Sequence, residues 1–278
     1  MDKMNMTVLN KKRNAARYFP LGIAALEVVA ILMMLFGLRA VGVAVGLVVL
    51  IGGAAAKSRL KKSFVEDCSH MQTMQALGLK NAQYLGESKQ EPQWLHETHL
   101  LPSTAVVTQP LVLHAVQGEA HGTQLWMGEV TFGCNENGKK AATYSSGVLV
   151  KAPLRRPVAD KALFLGRYAF KHAALRAEYE KDGLRLSPAG GKEKGWYALT
   201  EGAVSPDGAL CEKWDAVCAA AKNRAALYVE GEQLAAYFYG SFYTGEFPLE
   251  EEVTAGTLKR HAFAAIVPLM ELVEYLNA

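Results

Sequence analysis

The side chains with the most evident chemistry are histidines: the run His96-Glu97-x-His99, with His114 and His121 further along. Neutral imidazole is a common metal ligand, and zinc hydrolases place two of them on one helix face beside a glutamate base. Here the two histidines stand closer than in H-E-x-x-H, and Pro102 follows at once, so no helix face is dictated. His114 and His121 could add ligands from a sheet, but nothing in their spacing fixes a distance. The chain also has no G-x-S-x-G elbow, no G-x-x-x-x-G-K-[ST] loop and no G-x-G-x-x-G turn. Gly190-Gly191-Lys192, between Pro188 and Trp196, reads as a flexible turn rather than an anion cradle. No catalytic, cofactor-binding or metal-ligating residue is therefore assigned. A metal-dependent hydrolase built on His96 and His99 stays as the rival reading.

A second ionisable group stands out by its setting. Glu27 interrupts an apolar stretch over residues 19–56, whose other charge is Arg39. One helix across that stretch would be about 55 Å long, against a hydrocarbon core of about 30 Å. Two spans fit better, with Gly37, Arg39 and Gly42 at the bend. A carboxyl inside a span costs about 2.5–3.5 kcal/mol and by default marks function. With one such group, a proton path has little support; a neutral Glu27 hydrogen-bonding another helix is the reading here, with a transporter-associated subunit as its rival. Ala54-Ala55-Ala56 resembles a cleavage site, but the stretch far exceeds an h-region of about 7–15 residues.

Charge gives the hairpin a direction. Lys11, Lys12, Arg13 and Arg17 precede it and Lys57, Arg59, Lys61 and Lys62 follow it, while the turn holds Arg39. Lys and Arg stay on the cytoplasmic side. The expected location is the cell (inner) membrane, multi-pass, with both termini cytoplasmic. Residues 19–56 then contact the lipid bilayer, and Lys57, Arg59, Lys61 and Lys62 contact anionic headgroups. The chain has 278 residues and a net charge of +3. Six of its 30 Lys and Arg, and two of its 27 Asp and Glu, precede Lys57; with the four bases after the hairpin set aside, 20 bases face 25 acids. A mildly acidic body argues against nucleic acid as a partner. Cys68, Cys134, Cys211 and Cys218 have no metal or redox spacing and are expected as free thiols in a reducing compartment.

The expected organisation is a cytosolic tail (1–18), a transmembrane hairpin (19–56), a helical stalk (57–85) and a soluble domain (86–278). The fold class is α+β: the hairpin, then antiparallel β-sheet with packed helices. In the second span, Gly42-x-x-x-Gly46 forms a small face suited to packing on the first. The stalk repeats Phe64, Cys68 and Met71 on one side and stops at Gly78. A polar break is expected over 86–92. Strand patterns cover 105–108, 111–116, 124–132, 143–151, 163–170, 174–179, 184–187 and 196–199. Turns are expected at Gln117-Gly118, Asn137-Gly138, between Pro153 and Pro157, and at Asp182-Gly183. A helix over 208–222 follows Ser205-Pro206-Asp207, and a last hairpin crosses Glu230-Gly231. The aromatic run Tyr237, Phe238, Tyr239, Phe242, Tyr243 and Phe247 reads as a core strand entering an ordered loop. One helix over 249–276, kinked at Pro268, closes the chain.

The basic run into Phe64, Phe164-Leu165-Gly166 after the central strands, Leu184-Arg185-Leu186-Ser187-Pro188, and the final strand pair leading into an amphipathic helix carry a resemblance. The chain resembles a family of bacterial two-span membrane proteins of unknown function, although the family's Asp-aliphatic-x-Gly is absent between Leu111 and Gly118. The resemblance implies an N-terminal hairpin with a cytosolic α+β domain, and it implies no activity or catalytic residue. The expected function is a non-enzymatic, membrane-anchored interaction or scaffold module with a protein partner.

Overall fold

A computed structural model describes residues 3–89, 100, 111–120, 122–134, 143–167, 183–191, 194–201, 207–240, 247–260 and 264–278. Two long apolar helices precede an antiparallel sheet with helices packed on it, an α+β architecture. The chain divides into two compact units, Met1–Thr73 with Thr244–Ala262, and Met74–Tyr243 with Phe263–Ala278.

In the first unit, α1 (Lys3–Leu35) and α2 (Arg39–Leu77) are joined by a turn at Gly37, whose φ of 91° suits glycine. Both are long and apolar enough to cross a membrane. Their outward side chains are large and apolar; Phe36 is 83% exposed and Val48 72%. The helices approach where side chains are smallest. A Cβ on Gly42 would lie 2.7 Å from the Ala30 carbonyl oxygen, and one on Gly53 would lie 2.8 Å from Ile23 Cδ1. Gly42 therefore faces α1, as expected, whereas Gly46 only touches Ala30 at ordinary contact distance. Pro20 lies inside α1 and not in its first turn, because the helix begins well before the apolar stretch.

That early start makes helix of residues 3–18, expected only as a polar tail before the hairpin. Leu9, Arg13 and Ala16 recur one turn apart and are buried, as are Phe64, Cys68 and Met71 on α2. An arginine within the stripe hid it. Lys12 pairs with Asp67 and donates to Ser63 Oγ at 3.3 Å. The segment after residue 246 joins this unit. Phe247 meets the Phe64 ring edge-on at 6.0 Å, and Asn10 makes paired bonds to the Val253 backbone, of 2.9 and 3.0 Å.

The second unit is a seven-stranded sheet in the order β1-β2-β3-β4-β6-β5, with β7 also on β4. The strands are β1 (Lys80–Lys89), β2 (Leu111–Ala120), β3 (Thr123–Cys134), β4 (Thr143–Gly166), β5 (Arg185–Gly191), β6 (Trp196–Thr200) and β7 (Ala225–Tyr239). Period-two alternation assigns the faces. Val148, Val150, Ala152 and Phe164 point to one core, and Leu149, Leu163 and Leu165 to the other. Helices α3 (Gly208–Ala220) and α5 (Ile266–Asn277) cover the first face with Trp214, Val217, Leu269 and Val273. Asp207 caps α3, accepting from Ala209 N at 3.3 Å. It also accepts from the Tyr275 hydroxyl of α5, the bond that most holds its carboxyl below the usual range.

Several expected breaks are absent. Of the break expected over 86–92, residues 86–89 are strand, since β1 runs to Lys89 with irregular register around Gly86, and 90–92 lie outside the described residues. The β2–β3 turn falls at Gly122, not at Gln117-Gly118, which pair with β3. The strands expected at 143–151 and 163–170 are one strand, β4, running through Pro153 and Pro157 as far as Gly166, and 168–170 lie outside the described residues. The prolines lie where its register with β7 shifts and where neither β3 nor β6 pairs with it, so no ladder bond is lost. Glu230-Gly231 is likewise a bend within β7, not a hairpin turn, since both halves of β7 pair with β4. Asn277 closes that gap, accepting from Arg155 N at 2.7 Å and donating to Thr123 Oγ1 at 3.0 Å. The final helix is two helices, α4 (Ala255–Arg260) and α5, and Pro268 sits in the first turn of α5, where it needs no partner and causes no kink. The expectations at 105–108, 174–179 and Asn137-Gly138 lie outside the described residues.

Candidate functional site

Strands β3, β4 and β7 bound a groove of about 370 Å³ in the second unit. It exists because two ladders end together. The β3–β4 pairing stops at Trp126 opposite Lys151, and the β4–β7 register shifts after Pro153 opposite Gln233. The strand ends diverge and leave backbone and side chains of Gln124, Trp126, Lys151, Pro153, Glu232 and Gln233 along one opening.

Lys151 gives this groove its chemistry. Its Nζ stands 5.0 Å from the centroid of the Trp126 ring, within cation–π range. The stem is half-buried, and burial pulls the ammonium down to about 8. A half-buried cation over an indole face can pair with a carboxylate or phosphate group, and the Glu232 carboxylate lines the same opening.

This lowered value has a sign that can be measured. Lys151 is protonated in both folded and unfolded chains below about 8, so the burial penalty is present in full at pH 7. Between about 8 and 10.5 the unfolded chain binds the extra proton, and stability rises with pH. Lys151→Met is expected to raise the urea midpoint at pH 7 and to remove that rise. Paired denaturation curves at pH 7, 8.5 and 10 for both proteins check this, since other titrating groups cancel in the difference.

The residues singled out in the sequence do not converge on this groove. His96, His99 and His121 lie outside the described residues, and His114 is described only as backbone in β2. Among the described residues no three His, Cys, Asp or Glu form a metal-sized cluster. Glu27 is half-buried in the hairpin and makes no hydrogen bond among the described residues, so the expected bond to the other helix is not formed there. Gly190 and Gly191 belong to β5 rather than a turn; a Cβ on Gly190 would stand 2.8 Å from the Trp196 carbonyl oxygen. Cys68, Cys211 and Cys218 are buried and form no disulfide among the described residues. Burial pushes the Cys68 thiol up to about 12 and raises that of Cys218, which suits packing and not nucleophilic attack. Tyr237 and Phe238 are core residues, as the strand reading had it. Sequence reasoning missed Trp126 and Lys151. Their one signal was a lysine closing the apolar run Val148-Leu149-Val150.

No family model matches the chain, and no curated protein matches it in sequence. Among solved structures it is similar to the crystal structure of the mycobacterial trehalose monomycolate transport factor A, TtfA. That likeness has a TM-score of 0.34 and 8% identity, covering 74% of this chain and 94% of that one. A score so low carries no function across. The resemblance to the two-span family gains no support from these comparisons.

Proposed function

We propose that this protein is a membrane-tethered binding module. The hairpin of α1 and α2 anchors it in an inner membrane with both termini cytoplasmic, and Lys57, Arg59, Lys61 and Lys62 lie against anionic headgroups. The sheet domain recruits a protein partner by placing one of that partner's acidic groups over Trp126 and Lys151. The observation that carries this reading is the pair of apolar helices, exposed on their outer faces and flanked by bases at both outer ends. The half-buried cation of the groove supports the choice of an acidic group.

Two measurements test it. With intact spheroplasts and a membrane-impermeant protease, the sheet domain is expected to resist digestion until lysis; digestion without lysis overturns the topology. A photocrosslinker at Gln233 is expected to give a discrete protein adduct that Lys151→Glu abolishes, and no adduct counts against recruitment through the groove. Stoichiometric zinc in purified protein, lost on His96→Ala, would instead favour the hydrolase.

A further inference from the structure

We propose that Arg13 holds a phosphate group at the outer end of the hairpin. The stripe Leu9, Arg13, Ala16 on α1 is otherwise apolar, yet Arg13 is only 9% exposed. Its Nη2 donates to Asn14 Oδ1 at 2.9 Å, while Nε and Nη1 are buried without an acceptor among the described residues. A guanidinium keeps its charge under all physiological conditions, and a buried charge lacking a counterion is strongly unfavourable. The Asn14 carboxamide fills one donor but cancels no charge. Asp67 is engaged by Lys12, and the Arg17 guanidinium lies 5.3 Å over the Tyr18 ring.

The charge around Arg13 selects an anion. Lys12, Arg17, Lys57, Arg59, Lys61 and Lys62 flank the same end of the hairpin, against Asp67, paired with Lys12, and Glu250, Glu251 and Glu252, of which Glu251 pairs with Arg260, so bases are in excess there. Asn14 is exposed, which makes its carboxamide a displaceable cover over the Nη2 edge. An oxyanion replacing it takes Nη1 and Nη2 together, the bidentate geometry that suits phosphate. Arg13 lies six residues before Phe19, about 9 Å along the helix axis, close to the headgroup layer of a bilayer entered at Phe19. The phosphate is thus a lipid phosphodiester or a free phosphate. The lipid source rests on the membrane reading above; the site itself does not.

Full-length protein in neutral detergent, examined by native mass spectrometry, tests this. Phosphatidylglycerol is expected to be retained in preference to phosphatidylcholine. Arg13→Gln should weaken retention about tenfold, and Arg13→Lys, lacking the fork, should weaken it less. Asn14→Asp supplies a resident carboxylate, so it should weaken retention as much while raising the thermal midpoint. Arg185→Gln, an exposed charge on β5 of the sheet domain, should stay within about twofold of wild type. Binding of inorganic phosphate that displaces the lipid, with the same dependence on Arg13 and Asn14, assigns the site to a free phosphate. Wild-type retention by folded Arg13→Gln, or by Asn14→Asp, overturns the proposal; if Arg13→Gln does not fold, Asn14→Asp decides alone. Flotation with vesicles reads membrane insertion separately, so its failure leaves the inorganic-phosphate arm to decide.

Discussion

Trp214→Ala is expected to destabilise the sheet domain by about 3–5 kcal/mol, enough to consume much of the stability of an ordinary domain. Trp214 is fully buried on α3, and its ring lies 5.9 Å from that of Phe164, which in turn lies 6.1 Å from Trp196. These three rings join the helix layer to β4 and β6. The Trp196 indole is fixed from the helix side too, donating to Asp215 Oδ1 at 2.9 Å. Truncation at 214 leaves a cavity beneath residues held in place by their own ladders, so little collapse can offset the loss. The Trp214 Nε1 is buried with no acceptor among the described residues. Trp214→Phe removes that orphan donor and keeps a ring in place, so its cost should stay below about 1.5 kcal/mol. Urea denaturation of the full-length protein in detergent, followed by the strand signal in circular dichroism, separates the two. Equal midpoints for the alanine and phenylalanine variants would show that ring packing does not hold this layer together.

What the sequence made legible follows from how local each signal was. The hairpin could be read because an apolar stretch too long for one span, with glycine at its centre, leaves few alternatives. The α3 helix could be read because Asp207 supplies a cap just ahead of Trp214, Val217 and Cys218 at helical spacing. The misreadings within the sheet share one cause: turn-forming residues used where no turn occurs. Pro153 and Pro157 cost β4 nothing because that stretch lacks a ladder on the β3 and β6 side. Gly231, at a φ of 54°, bends β7 opposite Val158 while the pairing resumes beyond it. The division of the last helix was written in Thr254-Ala255-Gly256-Thr257, where Thr257 N donates to Thr254 Oγ1 at 3.1 Å and Thr254 N donates to Thr257 Oγ1 at 2.8 Å. That reciprocal cap starts α4 at Ala255, inside the one helix expected over 249–276.

The candidate groove was illegible for a different reason. Its walls come from three strands distant in sequence, and it opens because two ladders end at the same level. No single strand pattern encodes a coincidence of that kind. Trp126 and Lys151 look alone like the aromatic and the terminal lysine of ordinary strands. They acquire chemistry only when register places them side by side and burial removes water from the ammonium. The Arg13 site was hidden similarly, since a charge in an apolar stripe reads as the end of the stripe until the helix is seen to continue past it.

Gly147→Ala is the substitution that most directly tests the packing of the second face. Gly147 lies on β4 between Val130 of β3 and Tyr239 of β7, in a part of the sheet paired on both sides. The Tyr237 ring lies across it, so an added Cβ would strike that ring and would stand 2.5 Å from the Phe238 carbonyl oxygen. The ring cannot simply retreat. It is fully buried, and it meets the Tyr239 ring edge-on at 4.8 Å, while the Tyr239 hydroxyl donates to the Leu100 carbonyl at 2.7 Å. Overpacking of this kind costs about 1–3 kcal/mol, and more where the obstructing atom is backbone, so a loss of about 3 kcal/mol is expected. The two obstacles can be separated by a double-mutant cycle. Tyr237→Leu clears the ring but not the carbonyl, so it should be destabilising alone and should recover only part of the loss when combined with Gly147→Ala. Full additivity of the two changes would mean that the ring does not meet position 147. Complete recovery would place the whole conflict in the ring and none in the β7 backbone.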